Sequence, residues 1–359
     1  MRKKIAIIGT VGIPARYGGF ETLADYLSQY LSQRYELTVY CSSKDCDTRL
    51  AHHKGAQLRY IPLKANGVQS ILYDVLSLFS AIRYADVTLV LGVSGCIVLP
   101  FLKLFSSRTI VVNIDGLEWK RAKWSRFAKA FLRFSEKLAV QFADSVVTDN
   151  KVIQNYVLNE YSKESTLIAY GGDQVSKVSI TDDTFRQYPF LKQKYAFSVC
   201  RIEPENNLHL ILAAAKRNPN LSVVVVGNWD SSSYGRELRA TYSHTNGIYL
   251  LDPIYDQCKL DQLRSNCQLY LHGHSAGGTN PSLVEAMSLG LPVYAFDIDY
   301  NRETTENAAR YFSSASELAS MLDAFDETVL SETGGQMAEI ATRRYRWEVV
   351  AEQYAALLG

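Results

Sequence analysis

No stretch of this 359-residue chain approaches the roughly 18 consecutive apolar residues of a membrane-spanning helix, so none is expected to cross a bilayer. Charge of one sign is missing as well. A net charge of +1 gives no global argument for nucleic acid as a partner. The six cysteines (Cys41, Cys46, Cys96, Cys200, Cys258 and Cys267) form no CxxC pair and no zinc-ligand spacing. They read as reduced, mostly buried thiols of a cytoplasmic protein, with a bridge left open. Short repeats and low-complexity segments are absent. At the N-terminus Met1-Arg2-Lys3-Lys4 precedes only four apolar residues, Ile5 to Ile8, before Gly9, Gly12 and Pro14. That is expected to be a buried first strand with a basic lead-in rather than a targeting segment. The first strand also lacks the GxGxxG fingerprint, since Gly9 and Gly12 are followed by Ala15 and a longer loop. Together with Tyr40-Cys41 where an acidic residue would close the second strand, this argues against a nicotinamide dehydrogenase.

What is present is 47% hydrophobic residues on a chain longer than one core usually supports. Apolar runs alternate twice over with amphipathic helical patterns. The first series predicts strands at Ile5–Ile8, Leu37–Cys41, Leu58–Ile61, Val87–Leu91, Ile110–Asn113 and Ser145–Thr148. Helices fall between them near Phe20–Gln33, Gln69–Tyr84, Cys96–Phe105, Lys123–Phe142 and Lys151–Tyr161. Residues 171–194 are polar, poor in pattern, and read as a linker. The second series predicts strands at Ala196–Cys200, Ser222–Val226, Ile248–Leu250, Leu269–Leu271 and Val293–Phe296, with helices near Asn207–Arg217, Tyr255–Cys267 and Pro281–Leu289. Residues 336–358 read as a helical tail. Short Val/Ile/Leu strands separated by helices indicate parallel sheets covered on both faces. The expected architecture is α/β, with two doubly wound Rossmann-like domains over residues 1–172 and 173–342. The C-terminal helix, about 343–359, is expected to pack back on the first domain. Ligands of such sheets bind beyond the carboxyl ends of the strands, so a cleft between facing domains is the expected site.

Five segments stand at that edge. The most informative runs from His272 to Met287, where a strand meets a glycine-rich loop and then a helix. Asn280 is a good N-cap and Pro281 suits the first helical position. A helix start of this kind offers free N–H groups to a phosphate, and Glu285 lies just over one turn inside, within reach of a sugar hydroxyl. The alternative is an ordinary strand-loop-helix connection. Gly9 to Thr22 is a long loop ending in Gly18-Gly19, which lets backbone approach a ligand, or simply turns the chain. In Asn113 to Trp119, Asp115 and Glu118 follow a strand, where they suit a sugar hydroxyl or proton transfer, or else serve as turn and capping acids. Ala169-Tyr170-Gly171-Gly172-Asp173 leads on from Thr166–Ala169, the short strand that ends the first series. In Cys200 to Asn207, Arg201 stands at a strand end, where its planar fork suits a diphosphate.

These residues together resemble the GT-B glycosyltransferases of the large retaining family 4, and within it the bacterial rhamnosyltransferases of capsule and cell-wall polysaccharide assembly. The matching stretches are Val11 to Thr22, Asp115 to Arg121 and His272 to Met287. The resemblance implies a nucleotide-sugar donor held by the C-terminal domain, an acceptor held by the N-terminal one, and no metal ion or other cofactor. Of the family's two glutamates separated by seven intervening residues, Glu285 matches the second, which binds the nucleotide ribose, while Gly277 stands where the first would be. Arg201 matches the arginine on the diphosphate, and Asn206 replaces the usual lysine five positions on. Both departures are compatible with a deoxysugar donor such as dTDP-rhamnose. The implied catalytic residues are Asp115, Arg201 and Glu285. Donor contacts are expected from Gly18, Gly19, Asn206, His272, His274, Gly277, Gly278, Thr279 and Asn280, with Arg201 and Glu285. Arg16, Tyr17, Glu21, Glu118 and Asp173 are acceptor-side candidates. Transfer would proceed on one face of the sugar with retained configuration, resting on positioning and electrostatic stabilisation.

From Trp124 to Phe142 the residues Trp124, Phe127, Phe131, Phe134, Leu138 and Phe142 recur at helical spacing among Lys120, Arg121, Lys123, Arg126, Lys129, Arg133 and Lys137. A crossover helix must bury one side, so most of the aromatic stripe is expected to face the sheet. Lys123, Arg126, Lys129 and Arg133 would then face an anionic membrane, serving a polyprenyl-diphosphate-linked sugar acceptor on the inner face of the plasma membrane. Other classes remain: a GT-B epimerase, which turns over its sugar nucleotide without an acceptor, and a non-catalytic sugar-nucleotide sensor or scaffold subunit. A hexosyltransferase using a UDP- or GDP-sugar keeps the fold and changes the donor.

Overall fold

The computed structural model describes residues 2–15, 18–46, 48–114, 116–120, 124–324 and 326–359. The chain divides into two compact units, Met1–Tyr170 with Trp347–Gly359, and Gly171–Arg346. Both are Rossmann-like α/β units, as the alternating pattern predicts.

The first unit runs β1 (Lys4–Ile8), α1 (Gly19–Leu31), β2 (Glu36–Ser42), β3 (His52–His53), β4 (Ala56–Ile61), α2 (Gln69–Ala81), β5 (Val87–Leu91), α3 (Leu99–Phe105), β6 (Thr109–Asn113), α4 (Arg126–Phe142), β7 (Ser145–Thr148), α5 (Lys151–Tyr161) and β8 (Thr166–Leu167). The sheet order is β3-β4-β2-β1-β5-β6-β7-β8. Its pairs are parallel except for β3, which runs antiparallel to β4. Ile5 of β1 lies opposite both Leu37 and Val87, so β1 sits between β2 and β5. The strand order reverses there, and the loops after β1 and β5 part at that point. Strands buried on both faces read as unbroken apolar runs, which is why they were legible.

The second unit runs α6 (Asp182–Gln187), β9 (Tyr195–Val199), α7 (Leu208–Arg217), β10 (Ser222–Val226), α8 (Ser233–Tyr242), β11 (Ile248–Leu251), α9 (Gln257–Ser265), β12 (Leu269–His272), α10 (Pro281–Ser288), β13 (Val293–Phe296), α11 (Asp299–Thr304), β14 (Arg310–Phe312), α12 (Ala315–Asp323) and α13 (Glu327–Arg344). Its sheet is parallel in the order β11-β10-β9-β12-β13-β14. Here β9 and β12 are the neighbours at the reversal, with Leu269 opposite Ala196.

Two readings need correction. The segment 171–194 is not a structureless linker. Thr181 caps α6 through its side chain, and a 3-10 turn at Pro189–Lys192 seats Phe190 against Tyr249 with ring centroids 4.3 Å apart. Nor is the tail one helix. It breaks at Tyr345, whose hydroxyl donates to the Thr304 carbonyl (2.8 Å) and whose own carbonyl accepts the Gly172 N–H (2.7 Å). After this buried anchor, α14 (Trp347–Leu358) belongs to the first unit. There Trp347 stacks on Tyr26 at 4.5 Å, and the Tyr354 hydroxyl accepts from Asn113 Nδ2 at the end of β6 (2.7 Å).

Candidate functional site

In an open parallel sheet the reversal of strand order leaves a crevice beyond the strand ends, where two neighbouring loops diverge. In the second unit those loops follow β9 and β12, and they are the segments Cys200–Asn207 and Gly273–Asn280. Hydrogen bonds zip them together. Ser275 N–H and Oγ both donate to the Glu205 carbonyl (2.8 and 2.9 Å), and Asn207 Nδ2 donates to the Gly273 carbonyl (2.9 Å). Gly273 is required by this closeness, because a Cβ there would lie 2.0 Å from the Asn206 carbonyl oxygen.

Asn206 is the joint between the loops. It is buried, its Nδ2 donates to the Arg201 carbonyl (2.7 Å), and its Oδ1 accepts from His274 Nδ1 (2.8 Å). Its amide is therefore spent on structure, and the residue standing at the family's lysine position works by holding Arg201 and His274. Asn301 Nδ2 fixes the same loop through the His274 carbonyl (2.8 Å). The Arg201 residue is exposed while its backbone is pinned, so its guanidinium is presented to solvent at the strand end.

His272 and His274 differ. His274 is packed and hydrogen-bonded, whereas His272, only 3% exposed, leaves Nε2 without a partner among the described residues. Burial pushes its imidazole down to about 3, so it is neutral at physiological pH. Gly277 has φ +97, a left-handed conformation that favours glycine, and His274 Nε2 stands 3.7 Å from where a Cβ would lie. Gly278 beside it is half-buried and Thr279 is buried. Asn280 Oδ1 accepts from both Ser282 N–H (3.0 Å) and Ser282 Oγ (2.8 Å), capping α10 as its sequence predicts.

Glu285, one turn into α10, carries more than a ligand site needs. Its Oε2 pairs with Arg264 Nη1, and its Oε1 accepts from Gln174 Nε2 (2.6 Å). Arg264 is 0% exposed and also holds Asp261 at 2.7 Å. Sequence reading missed both Arg264 and Gln174. Neither stands out locally, since Arg264 is one of three charged residues in a mostly polar helix and Gln174 is an amide just past the Gly171-Gly172 turn. Gly172 itself approaches α10 so closely that a Cβ would sit 2.5 Å from the Val284 carbonyl. This contact ties 171–174 to the helix bearing Glu285. The adjacent Asp173 is exposed.

In the first unit the loops at the reversal follow β1 and β5. Gly18 (φ +124) precedes Gly19, the first residue of α1, and Glu21 folds back so that Oε1 accepts the Val11 N–H (2.8 Å). Glu21, an acceptor-side candidate, thus uses one oxygen to fasten the loop. Glu118 accepts from Trp124 Nε1 (3.1 Å). Arg16, Tyr17, Asp115 and Lys123 lie outside the described residues. The loop Gly92-Val93-Ser94-Gly95 after β5 was overlooked in the sequence, although it stands at the same edge. The close fit shows here too, since a Cβ on Gly9 would lie 2.0 Å from the Leu91 carbonyl oxygen.

Beneath that loop lies a buried acid. The Asp74 Cβ is 2.5 Å from where a Gly95 Cβ would be, and burial alone lifts the Asp74 carboxyl to about 8 from its ordinary 3.8. The folded state therefore holds a proton that the unfolded chain releases. Stability is full below about pH 4 and drains away as pH rises to about 8, by up to roughly 1.4 kcal/mol per pH unit. Asp74→Asn should flatten this slope. Urea unfolding of the first unit at pH 4.5, 6 and 7.5 checks it, and an equal slope in both proteins refutes it.

The aromatic stripe of α4 does not face the sheet as expected. Its buried residues are Leu132, Ser135, Glu136, Ala139 and Val140, while Phe127, Phe134 and Phe142 are exposed. Glu136 is an acid in the interior, where it accepts from the Tyr156 and Tyr161 hydroxyls (both 2.8 Å) and burial raises its carboxyl. Of the proposed membrane-facing bases, Arg133 is paired with Glu160 (2.7 Å), Arg126 is exposed and Lys129 is half-buried.

Residues 180–342 match the family described as glycosyl transferases group 1, and residues 2–173 match a domain of unknown function (DUF1972). The fold is shared with a sucrose-phosphate synthase of Thermosynechococcus elongatus, with a TM-score of 0.83, 17% identity, and 99% of this chain and 98% of that one covered. It is shared as well with the Anabaena protein HepE, solved in complex with UDP, with a TM-score of 0.77, 17% identity and 99% of each chain covered. A curated relative, the GtfA subunit of a UDP-N-acetylglucosamine–peptide N-acetylglucosaminyltransferase of Streptococcus pneumoniae, is 26% identical over 130 residues. That match spans 35% of this chain and 24% of the relative's length. A group 1 glycosyl transferase domain is thus matched over most of the second unit, and the two Rossmann-like units share the GT-B fold of these structures.

Proposed function

We propose that the protein transfers L-rhamnose from dTDP-rhamnose, with retained configuration, to a lipid-linked saccharide during surface polysaccharide synthesis at the cytoplasmic face of the membrane. One observation carries this reading. The two loops at the strand reversal of the second unit are zipped together by Asn206, which presents Arg201 beside the loop leading to the capped start of α10. A guanidinium, and the glycine-rich backbone of Gly277–Asn280 at the positive end of the capped helix α10, suit a diphosphate leaving group, and Glu285 one turn on suits a ribose. The acceptor hydroxyl attacks the anomeric carbon from the side on which the diphosphate departs. The diphosphate oxygen takes the bonding pair, and the acceptor proton passes to it or to solvent. Arg201 and the Gly277–Asn280 backbone stabilise the charge that develops. A donor sugar beside Gly277 meets no carboxylate from that position, which fits a deoxysugar with few polar contacts. As in the family-4 rhamnosyltransferases it resembles, the enzyme needs no metal on this reading.

A second reading, transfer from a UDP-sugar, is favoured by the relatives, since HepE was solved with UDP and with UDP-glucose and the pneumococcal GtfA with UDP and GlcNAc. A thermal-shift panel of dTDP, UDP, GDP and ADP, each with and without EDTA, separates the two. A nucleotide at 100 times its dissociation constant adds about 2.7 kcal/mol, a shift of several degrees. Preference for dTDP, unchanged by EDTA, is the expected result. Preference for UDP replaces rhamnose by a hexose donor. No shift with any nucleotide overturns the transferase reading in favour of a non-catalytic subunit.

A further inference from the structure

Three helices of the first unit present large apolar side chains to solvent. On α4, Phe127 is 90% exposed, and Phe134 follows two turns later on the same side. On α3, Leu104 and Phe105 are 75% and 71% exposed, beside Phe101. On α2, Leu72 and Leu76 continue a stripe that begins at Val68, 87% exposed. The stripes of α2 and α3 meet, and α4 lies alongside α3. Phe79 of α2 meets Phe101 of α3 edge-on at 6.1 Å, Phe101 packs on Phe105 at 4.7 Å, and α3 packs against α4. Single exposed apolar residues need no explanation, but a run across three adjoining helices does.

The charges on these helices are of one sign. The only acids of α2, α3 and α4 are Asp74 and Glu136, and both are buried. The nearby exposed carboxylates of Asp144 and Glu160 are already paired, with Lys103 and Arg133. Arg126 and Lys137 of α4 and Arg83 just after α2 remain exposed, and no ion pair is made by them among the described residues. No helix of the described residues is long and apolar enough to cross a membrane. An apolar face bordered by unpaired cations, on helices that do not span, has the chemistry of an interfacial anchor.

We infer that the face formed by α2, α3 and α4 docks on an anionic lipid bilayer, with Phe127, Phe134, Leu104 and Phe105 entering the headgroup boundary and Arg126 and Lys137 meeting the lipid phosphates. This revises the basic-face expectation: the aromatic residues themselves are the contact, and the cations flank them. The inference rests on the proposed lipid-linked acceptor only for its purpose. Its test uses no nucleotide, so either idea can fail without the other.

The full-length chain is mixed with vesicles of phosphatidylglycerol and phosphatidylcholine, or of phosphatidylcholine alone, and bound protein is measured by flotation. Binding to the anionic vesicles, weakened in high salt, is expected. A Leu104→Asp/Phe105→Asp variant should bind at least tenfold more weakly, and Phe127→Ser/Phe134→Ser likewise, both with unaltered melting because the residues are exposed. Arg126→Glu/Lys137→Glu should cost about fivefold per charge removed, more for the reversal. Absence of binding by the unmodified chain, or equal binding by the two apolar variants, overturns the proposal. So does a dimer, seen by sedimentation, that Leu104→Asp/Phe105→Asp dissociates while vesicle binding persists, since the face would then join two copies of this chain.

Discussion

Replacing Glu285 by alanine is expected to damage the protein twice, in its stability and in its hold on a nucleotide. Arg264 is wholly buried, and its positive charge is met by Glu285 on one side and Asp261 on the other. Removing one partner of a buried ion pair leaves charge that neither water nor protein compensates, a loss of about 3 kcal/mol or more. The same change strips Gln174 Nε2 of its acceptor, which loosens the segment held against α10 by Gly172. Differential scanning calorimetry should show the transition of the second unit falling by several degrees while that of the first is unmoved. Gln174→Ala is the control, since it keeps the ion pair and should cost only about 1 kcal/mol. Any folded Glu285→Ala protein should show a much reduced thermal shift with nucleotide. A full shift in that variant would remove Glu285 from the ribose, leaving it as the partner of Arg264 alone.

Glu285 illustrates what a sequence conveys about a site and what it does not. Asn280, Pro281 and the glycines before them announce a helix start on local chemistry, because capping and positive φ depend on residues within a few positions. Arg264 and Gln174 lie 21 and 111 residues away from Glu285 along the chain, and no local rule joins them. Asn206 shows the same division. Its place five residues after Arg201 could be read, but its bond to His274 could not. Strands buried on both faces announced themselves as apolar runs. By contrast β14, with three residues, and α8, with a largely polar sequence, gave no such run. The α4 helix was misread for a subtler reason. Periodicity reveals which residues share a face and leaves open which face is covered. Small Ser135 and Ala139 let α4 approach its neighbours closely, so its covered side is lined by Leu132, Val140 and a hydrogen-bonded Glu136, and much of the larger aromatic stripe is left outside.

Arg201→Ala is expected to lower turnover by about a hundredfold or more while leaving nucleotide-free stability within about 0.5 kcal/mol of the original. The two halves of this expectation have separate causes. The side chain is exposed and forms no ion pair among the described residues, so truncating it removes no packing. What positions the residue is its backbone, whose carbonyl accepts from Asn206 Nδ2, and alanine keeps that bond. The catalytic loss arises because a diphosphate leaving group gains charge as the glycosidic bond breaks, and a guanidinium fixed before the reaction stabilises that charge more than it stabilises the bound donor. The loss should therefore fall mainly on kcat. Arg201→Lys should recover only part of it, because an ammonium lacks the planar fork that spans two phosphate oxygens. Asn206→Ala makes the complementary case. It breaks the link between Arg201 and His274, and should lower kcat with the arginine still in place and cost stability as well, since the amide is buried with both ends bonded. Wild-type kinetics in Arg201→Ala would take the diphosphate away from this residue and leave the start of α10 as its principal seat.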